Sequence, residues 1–268
     1  MIAVILIVFR EVLEAGLIIS VILAACKGYK INHLVIAGIT SGIVFSGVLA
    51  LFTNNIENAL SGTGQEVFNA ALLLTATAML SWQIVWMSTK GKKIADVSKN
   101  EVRNILSNDG KNYAIAVVVA IAVMREGSEV VLFMYSIIIS TGTSMTAMLA
   151  GGIAGVISGI SVTFLLYRGL IFIPLRVIFF FSNIILTFIA AGLASQGAGI
   201  LSSIDVIPEI KDTVWDSSWL LSDNSWAGGL ARAIFGYTST PSGVQVIIWC
   251  LVTLLILITS TILKRKQT

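Results

Sequence analysis

The sequence predicts an all-α membrane protein of seven transmembrane helices, arranged as a 3+3 inverted repeat plus one extra helix. Three observations carry that prediction. Of its 268 residues, 56% are hydrophobic and only 12% charged, about half the charged fraction of a soluble domain. Several apolar runs reach the roughly 20 residues that a helix needs to cross a bilayer core. One short charged motif, R-E-x-x-E, occurs inside two of those runs, starting at Arg10 and again at Arg125. The runs are too long for strands and show no alternation, so a barrel is excluded and helices remain.

Each element has its own signal. The first span, 2–26, starts at Met1 without a basic leader and holds Arg10, Glu11 and Glu14, which a cleaved signal peptide would not; it reads as a retained helix. The second, 34–52, carries Gly38, Gly42 and Gly47, and the fifth, 144–167, carries Gly151, Gly155 and Gly159; small residues at such spacings let helices approach closely. The third, 66–88, holds Trp82 and Trp86 near one end, as an interfacial belt would. The segment 89–113, "TKGKKIADVSKNEVRNILSNDGKNY", is a polar connector. The fourth span, 114–140, carries Arg125, Glu126 and Glu129. The sixth, 176–196, follows Pro174, whose missing donor costs little at a helix start. The segment 197–243 is rich in tryptophan and glycine and is expected to be partly folded on the surface, and the seventh span, 244–263, stands outside the repeat. The chain therefore reads as one transmembrane domain over 1–268: repeat one 1–88, a connecting loop 89–113, repeat two 114–196, an outer loop 197–243 and the seventh helix.

Lysine and arginine set the expected orientation. Lys27, Lys30, Lys90, Lys92, Lys93, Lys99, Arg103, Lys111, Arg168, Arg176, Lys264, Arg265 and Lys266 all fall on one side of the seven spans, against Lys211 and Arg232 on the other. The positive-inside rule then puts the N-terminus outside and the C-terminus in the cytoplasm. The outer side collects Glu57, Glu66, Asp205, Glu209, Asp212, Asp216 and Asp223. A negative vestibule of this kind would raise the local concentration of cations.

Cys26 and Cys250 are far apart and form neither a disulfide nor a metal motif. Met124, Met134, Met145 and Met148 are read as packing residues, and the lone His33 as a solvated loop residue.

The duplicated motif needs an explanation. Six charged residues near the bilayer centre would cost on the order of 15–20 kcal/mol at about 2.5–3.5 kcal/mol each. On a helix the arginine and the second glutamate of R-E-x-x-E lie about 40° apart and can pair. Pairs of Arg10 with Glu14 and Arg125 with Glu129 would account for four of the six charges and leave Glu11 and Glu126 unexplained. Three spans separate the copies, so they run in opposite directions, and the expected site lies at the interface of the two repeats near mid-membrane. Four glutamates offer oxygen donors only, which favours hard cations. With both arginines charged, four ionised glutamates leave a net charge of −2, so the empty site is expected to hold protons that a cation displaces. No Glu-x-x-His or H-E-x-x-H pattern and no nucleophile–base constellation is present, so an enzyme is not expected. The residues alone leave iron, calcium, magnesium and protons open.

Two R-E-x-x-E motifs on the first and fourth of seven helices resemble the oxidase-dependent high-affinity iron permeases, which include fungal ferric permeases and bacterial iron-uptake relatives. The segment "VWDSSWLLSDNSWAGGLARAIFGYTSTPSGVQ", 214–245, is also similar to the outer loop of that family. The family motif is R-E-G-L-E; here the copies read "REVLE" and "REGSE", so Val12 stands for the glycine and Ser128 for the leucine. Ser128 is expected to bond back to its own helix. The resemblance implies import of iron, ferric after external oxidation, across the plasma or inner membrane. It implies Glu11, Glu14, Glu126 and Glu129 as ligands, with Arg10 and Arg125 orienting them. Iron is then substrate and no cofactor is held permanently. Implied partners are the lipid bilayer, an extracytoplasmic oxidase or peroxidase and an iron-binding protein; no nucleic acid is expected, and assembly into a homo-oligomer is left open. The alternative is a proton-coupled transporter or channel for another cation such as lead, manganese or ferrous iron.

Overall fold

A computed structural model describes residues 1–26, 31–59, 63–90, 113–168, 175–223 and 225–265. Nearly all of the basic connector, and Pro174, lie outside the described residues. Among the described residues the chain forms eight helices and no strand: α1 Ile2–Ala25, α2 Asn32–Ala59, α3 Thr63–Lys90, α4 Tyr113–Thr141, α5 Met145–Tyr167, α6 Leu175–Ser203, α7 Trp226–Phe235 and α8 Gly243–Arg265.

Five of these, α2, α3, α5, α6 and α8, are long and apolar enough to cross a membrane by length and composition. The two other long helices, α1 and α4, are the ones that carry the charged motif. At about 1.5 Å per residue the 29 residues of α4 run to roughly 43 Å, more than the hydrocarbon core requires.

Helix ends differ from the apolar runs where hydrogen bonding outlasts hydrophobicity. The second span was expected to stop at 52, yet α2 continues to Ala59 through Thr53, Asn54 and Asn55. The sixth was expected to stop at 196, yet α6 runs to Ser203. Polar residues do not break a helix when an apolar face remains to pack, and only the hydropathy falls. The end of α4 is sharp because Gly142 adopts φ 62° and its N–H bonds back to the Ile138 carbonyl, a left-handed conformation that favours glycine. Ser144 then caps α5 by accepting from the Ala147 N–H.

The packing exchanges partners between the two halves of the chain. α1 packs mainly on α5, α2 on α4, and α3 on α6, with α1 and α4 in contact at the centre. Glycine makes the first two contacts close. On α5, a Cβ added at Gly155 would lie 2.7 Å from Val8 Cβ, and one at Gly159 would lie 2.8 Å from Val12 Cγ1. On α2, a Cβ at Gly38 would lie 2.8 Å from Val119 Cβ, and one at Gly42 would lie 2.7 Å from Val123 Cβ. Residue numbers rise together along both contacts, so α1 runs parallel to α5 and α2 parallel to α4. Gly47, by contrast, has nothing within 4 Å of its added Cβ.

The main core gathers Val4, Ile7 and Val8 of α1, Leu73, Leu80 and Ile84 of α3, Phe133 of α4, and Leu186, Ile189 and Leu193 of α6. Met148 belongs to it and Met134 packs against it, as their reading as packing residues requires. A second cluster of Ile22, Cys26, Ile31, Val35, Ile115 and Val119 ties α1, α2 and α4 together. Both cysteines are free, as expected.

Candidate metal centre

The charged motifs meet at the centre. One carboxylate oxygen each from Glu11, Glu126 and Glu129 lie within 4.8 Å of one another, and all three residues are buried. Helical spacing puts Glu126 and Glu129 on one face of α4, and the α1–α4 contact brings Glu11 to them. Among the described residues this is the one group of three or more acidic, histidine or cysteine side chains close enough to hold an ion.

Glu14 has a different partner. Its Oε1 accepts from Arg10 Nε at 2.8 Å, and both side chains are buried. Arg125, the counterpart of Arg10, divides itself between Glu129 at 3.4 Å and Glu126 at 3.5 Å. Both expected i,i+4 pairs are therefore present, but they are unequal. Arg10 is 1% exposed and Arg125 side chain 55% exposed.

Arg125 lines a cavity of about 470 Å³ together with Ala78, Met79, Trp82, Gln83, Trp86 and Glu129. The cavity brings open space to one side of the carboxylate group. The walls are α3 and α4, so Trp82 and Trp86 line a chamber beside the charged residues as well as meeting the surface. Gln83 was not identified from the sequence. Its Nε2–H donates to Glu11 Oε2 at 3.0 Å across 72 residues of chain. The one sequence signal for it is an amide placed in an apolar helix.

Several polar atoms are buried without partners. They include Glu11 Oε1, Glu126 Oε2, Gln83 Oε1 and the two terminal nitrogens of Arg10. A buried acceptor left unpaired is costly and rare in native structures.

The motif departures have local explanations. Ser128 Oγ donates to the Arg125 carbonyl at 2.7 Å, the back-bond expected of it. Val12 fits because the opposing residue on α5 is Gly159. In the second copy the arrangement is reversed: Gly127 sits at the motif position and Ser46 of α2 faces it. Each contact holds one small residue, on alternate sides.

The expected outer acids do not converge. Glu66, Asp205, Glu209, Asp212 and Asp216 are exposed, and they form no ion-holding group among the described residues. Nothing is described of the Glu57 side chain. Asp216 accepts from the Ser218 N–H at 2.9 Å, and these bonds from Ser218 hold its carboxyl below the usual carboxylate range. Asp223 is structural, accepting from Ser239 N and Oγ and pairing with Arg232 at 3.3 Å. Those bonds fix α7, whose helix Ser225 caps and Gly236 ends at φ 66°.

The chain belongs to the iron permease FTR1 family, which it matches over residues 1–264. It is 28% identical over 257 residues to "Ferrous iron permease EfeU" of Escherichia coli O157:H7, covering 91% of this chain and 89% of the relative. The protein of that name from Shigella sonnei (strain Ss046) gives the same figures, and that from Yersinia pestis is 27% identical over 252 residues, covering 91% and 87%. No solved structure gives a significant match. The protein is thus a multi-pass membrane permease and not an enzyme, with iron indicated as its substrate.

Proposed function

We propose that this member of the iron permease family imports iron through a carboxylate site formed where two inverted repeats meet. In this reading α1 and α4 cross the membrane along with the five more apolar long helices, giving seven spans with the N-terminus outside. Repeat one is 1–88, repeat two 114–196, and the seventh helix stands apart. The parallel packing of α1 with α5 and of α2 with α4 supports this reading, because three-helix repeats of opposite orientation require it.

One observation carries the assignment of the site: Glu11 from one repeat and Glu126 and Glu129 from the other bring oxygens within 4.8 Å. These three are the primary ligands. Glu14, paired with Arg10, contributes charge and becomes a ligand only by releasing that pair. Arg10 and Arg125 orient the carboxylates and lower the net charge to −2. The ion enters a site whose empty form holds protons, and displaces them. Oxygen-only donors fit the hard ferric ion best, which favours oxidation before uptake and hence an extracytoplasmic oxidase or peroxidase with an iron-binding protein as partners. The name of the relatives favours the ferrous ion instead. The exposed outer acids, Glu66, Asp205, Glu209, Asp212 and Asp216, with Glu57, would concentrate cations at the outer face. Subunits of this kind can assemble as homo-oligomers.

The test is uptake of labelled iron by cells producing Glu11→Gln or Glu126→Gln, with protein level measured in the membrane. Uptake should fall to background at normal protein level, and unchanged uptake would reject the site. Supplying iron with and without reductant, against manganese and lead as competitors, separates the ferric reading from the ferrous one and from another metal.

A further inference from the structure

Gln83 touches both the cavity and the carboxylates. It lies on α3, is 4% exposed, lines the cavity with Arg125 and Glu129, and donates from Nε2 to Glu11 Oε2 at 3.0 Å. Its amide oxygen has no partner. With Glu11 ionised, the amide presents its nitrogen to that carboxylate, since turning it over would set oxygen against oxygen.

We propose that Gln83 is a ligand of the transported ion and a determinant of its selectivity, an inference that rests on the carboxylate-site reading above. The amide N–H holds Glu11 by one oxygen, so that its other oxygen, Oε1, stays free. Glu11 Oε1, Glu126 Oε2 and Gln83 Oε1 are three buried oxygens without a hydrogen-bond partner. A cation held by Glu11 and Glu126 would give the Gln83 oxygen a partner as well. The amide oxygen is a hard donor without charge. It extends the ligand shell on the cavity side while leaving the net charge of the site at −2. A fifth carboxylate at this place would instead favour ions of higher charge.

The experiment uses the full chain, purified in detergent, with two redox-inert probes: manganese(II) and gallium(III). Gln83→Met keeps the length and removes both polar atoms. It should bind manganese(II) about 10–100-fold more weakly at unchanged stoichiometry, the usual effect of removing a group that supports a ligand. Gln83→Glu should raise the preference for gallium(III) over manganese(II) by at least roughly tenfold, by the added charge. Glu11→Gln and Glu126→Gln serve as reference. If those two abolish binding while Gln83→Met binds both ions as the native protein does, Gln83 is not a ligand and the carboxylate site stands. If all four variants bind as the native protein does, the site itself is misplaced. Should Gln83→Met fail to fold, Gln83→Glu decides alone, and unchanged selectivity there overturns the inference.

Discussion

The two R-E-x-x-E copies have the same spacing and opposite surroundings. The first is sealed: Arg10 and Glu14 are buried, their bond is 2.8 Å, and no space adjoins them among the described cavities. The second is open: Arg125 is half-exposed, its contacts with Glu126 and Glu129 are 3.4–3.5 Å, and a cavity reaches it along α3. A repeat in sequence therefore does not make the two halves of the site equally accessible. Pairing of the arginine is local and follows from helix geometry, whereas access depends on the helix packed beside it.

The contrast can be broken most completely by chemical labelling. With Cys26 and Cys250 replaced by serine, Ala78→Cys on the cavity wall should react with a water-soluble thiol reagent, and Leu13→Cys beside the sealed copy should stay unlabelled. Equal labelling of both would remove the distinction.

Stability sharpens it next. Arg10→Ala leaves Glu14 buried without its partner and should destabilise the protein by about 3–5 kcal/mol. Arg125→Ala leaves Glu126 and Glu129 short of a partner but beside open space, and should cost less, about 1–3 kcal/mol. Thermal melting of the purified variants measures the difference, and similar losses would argue against it.

The smallest effect concerns packing behind the motifs. Gly159→Ala drives a methyl against Val12 and the Phe9 carbonyl and should cost about 1–3 kcal/mol. Val12→Gly in the same chain should recover much of it, whereas Gly47→Ala, which meets nothing, should shift the melting temperature little. Failure of the rescue would mean that the strain lies elsewhere.

Much of the fold was legible because apolar runs and helices largely share their boundaries. The spans 2–26 and 144–167 match α1 and α5 to within a residue or so. The extensions of α2 and α6 were hidden because polar residues continue a helix without adding hydropathy. α7 was hidden by its ten-residue length, although Ser225 and Gly236 mark both its ends. In the site, the pairing of each arginine with the glutamate four residues on followed from periodicity. The convergence of Glu11 with Glu126 was expected from the duplication of the motif. What could not be read was anything set by contact between distant helices. Gln83 reaching Glu11, the cavity beside Arg125, and Gly159 making room for Val12 all belong there.

The exchange of packing partners has a mechanical consequence. Close joints of valine set into glycine fasten α1 to α5 and α2 to α4, so each fastening links one half of the chain to the other. Rocking one sequence half as a block against its twin would tear both joints at once. Any stroke that keeps them must slide one mixed couple, α1 with α5, past the other, α2 with α4. The carboxylates stand on the seam between those couples, where a small shear alters their spacing directly.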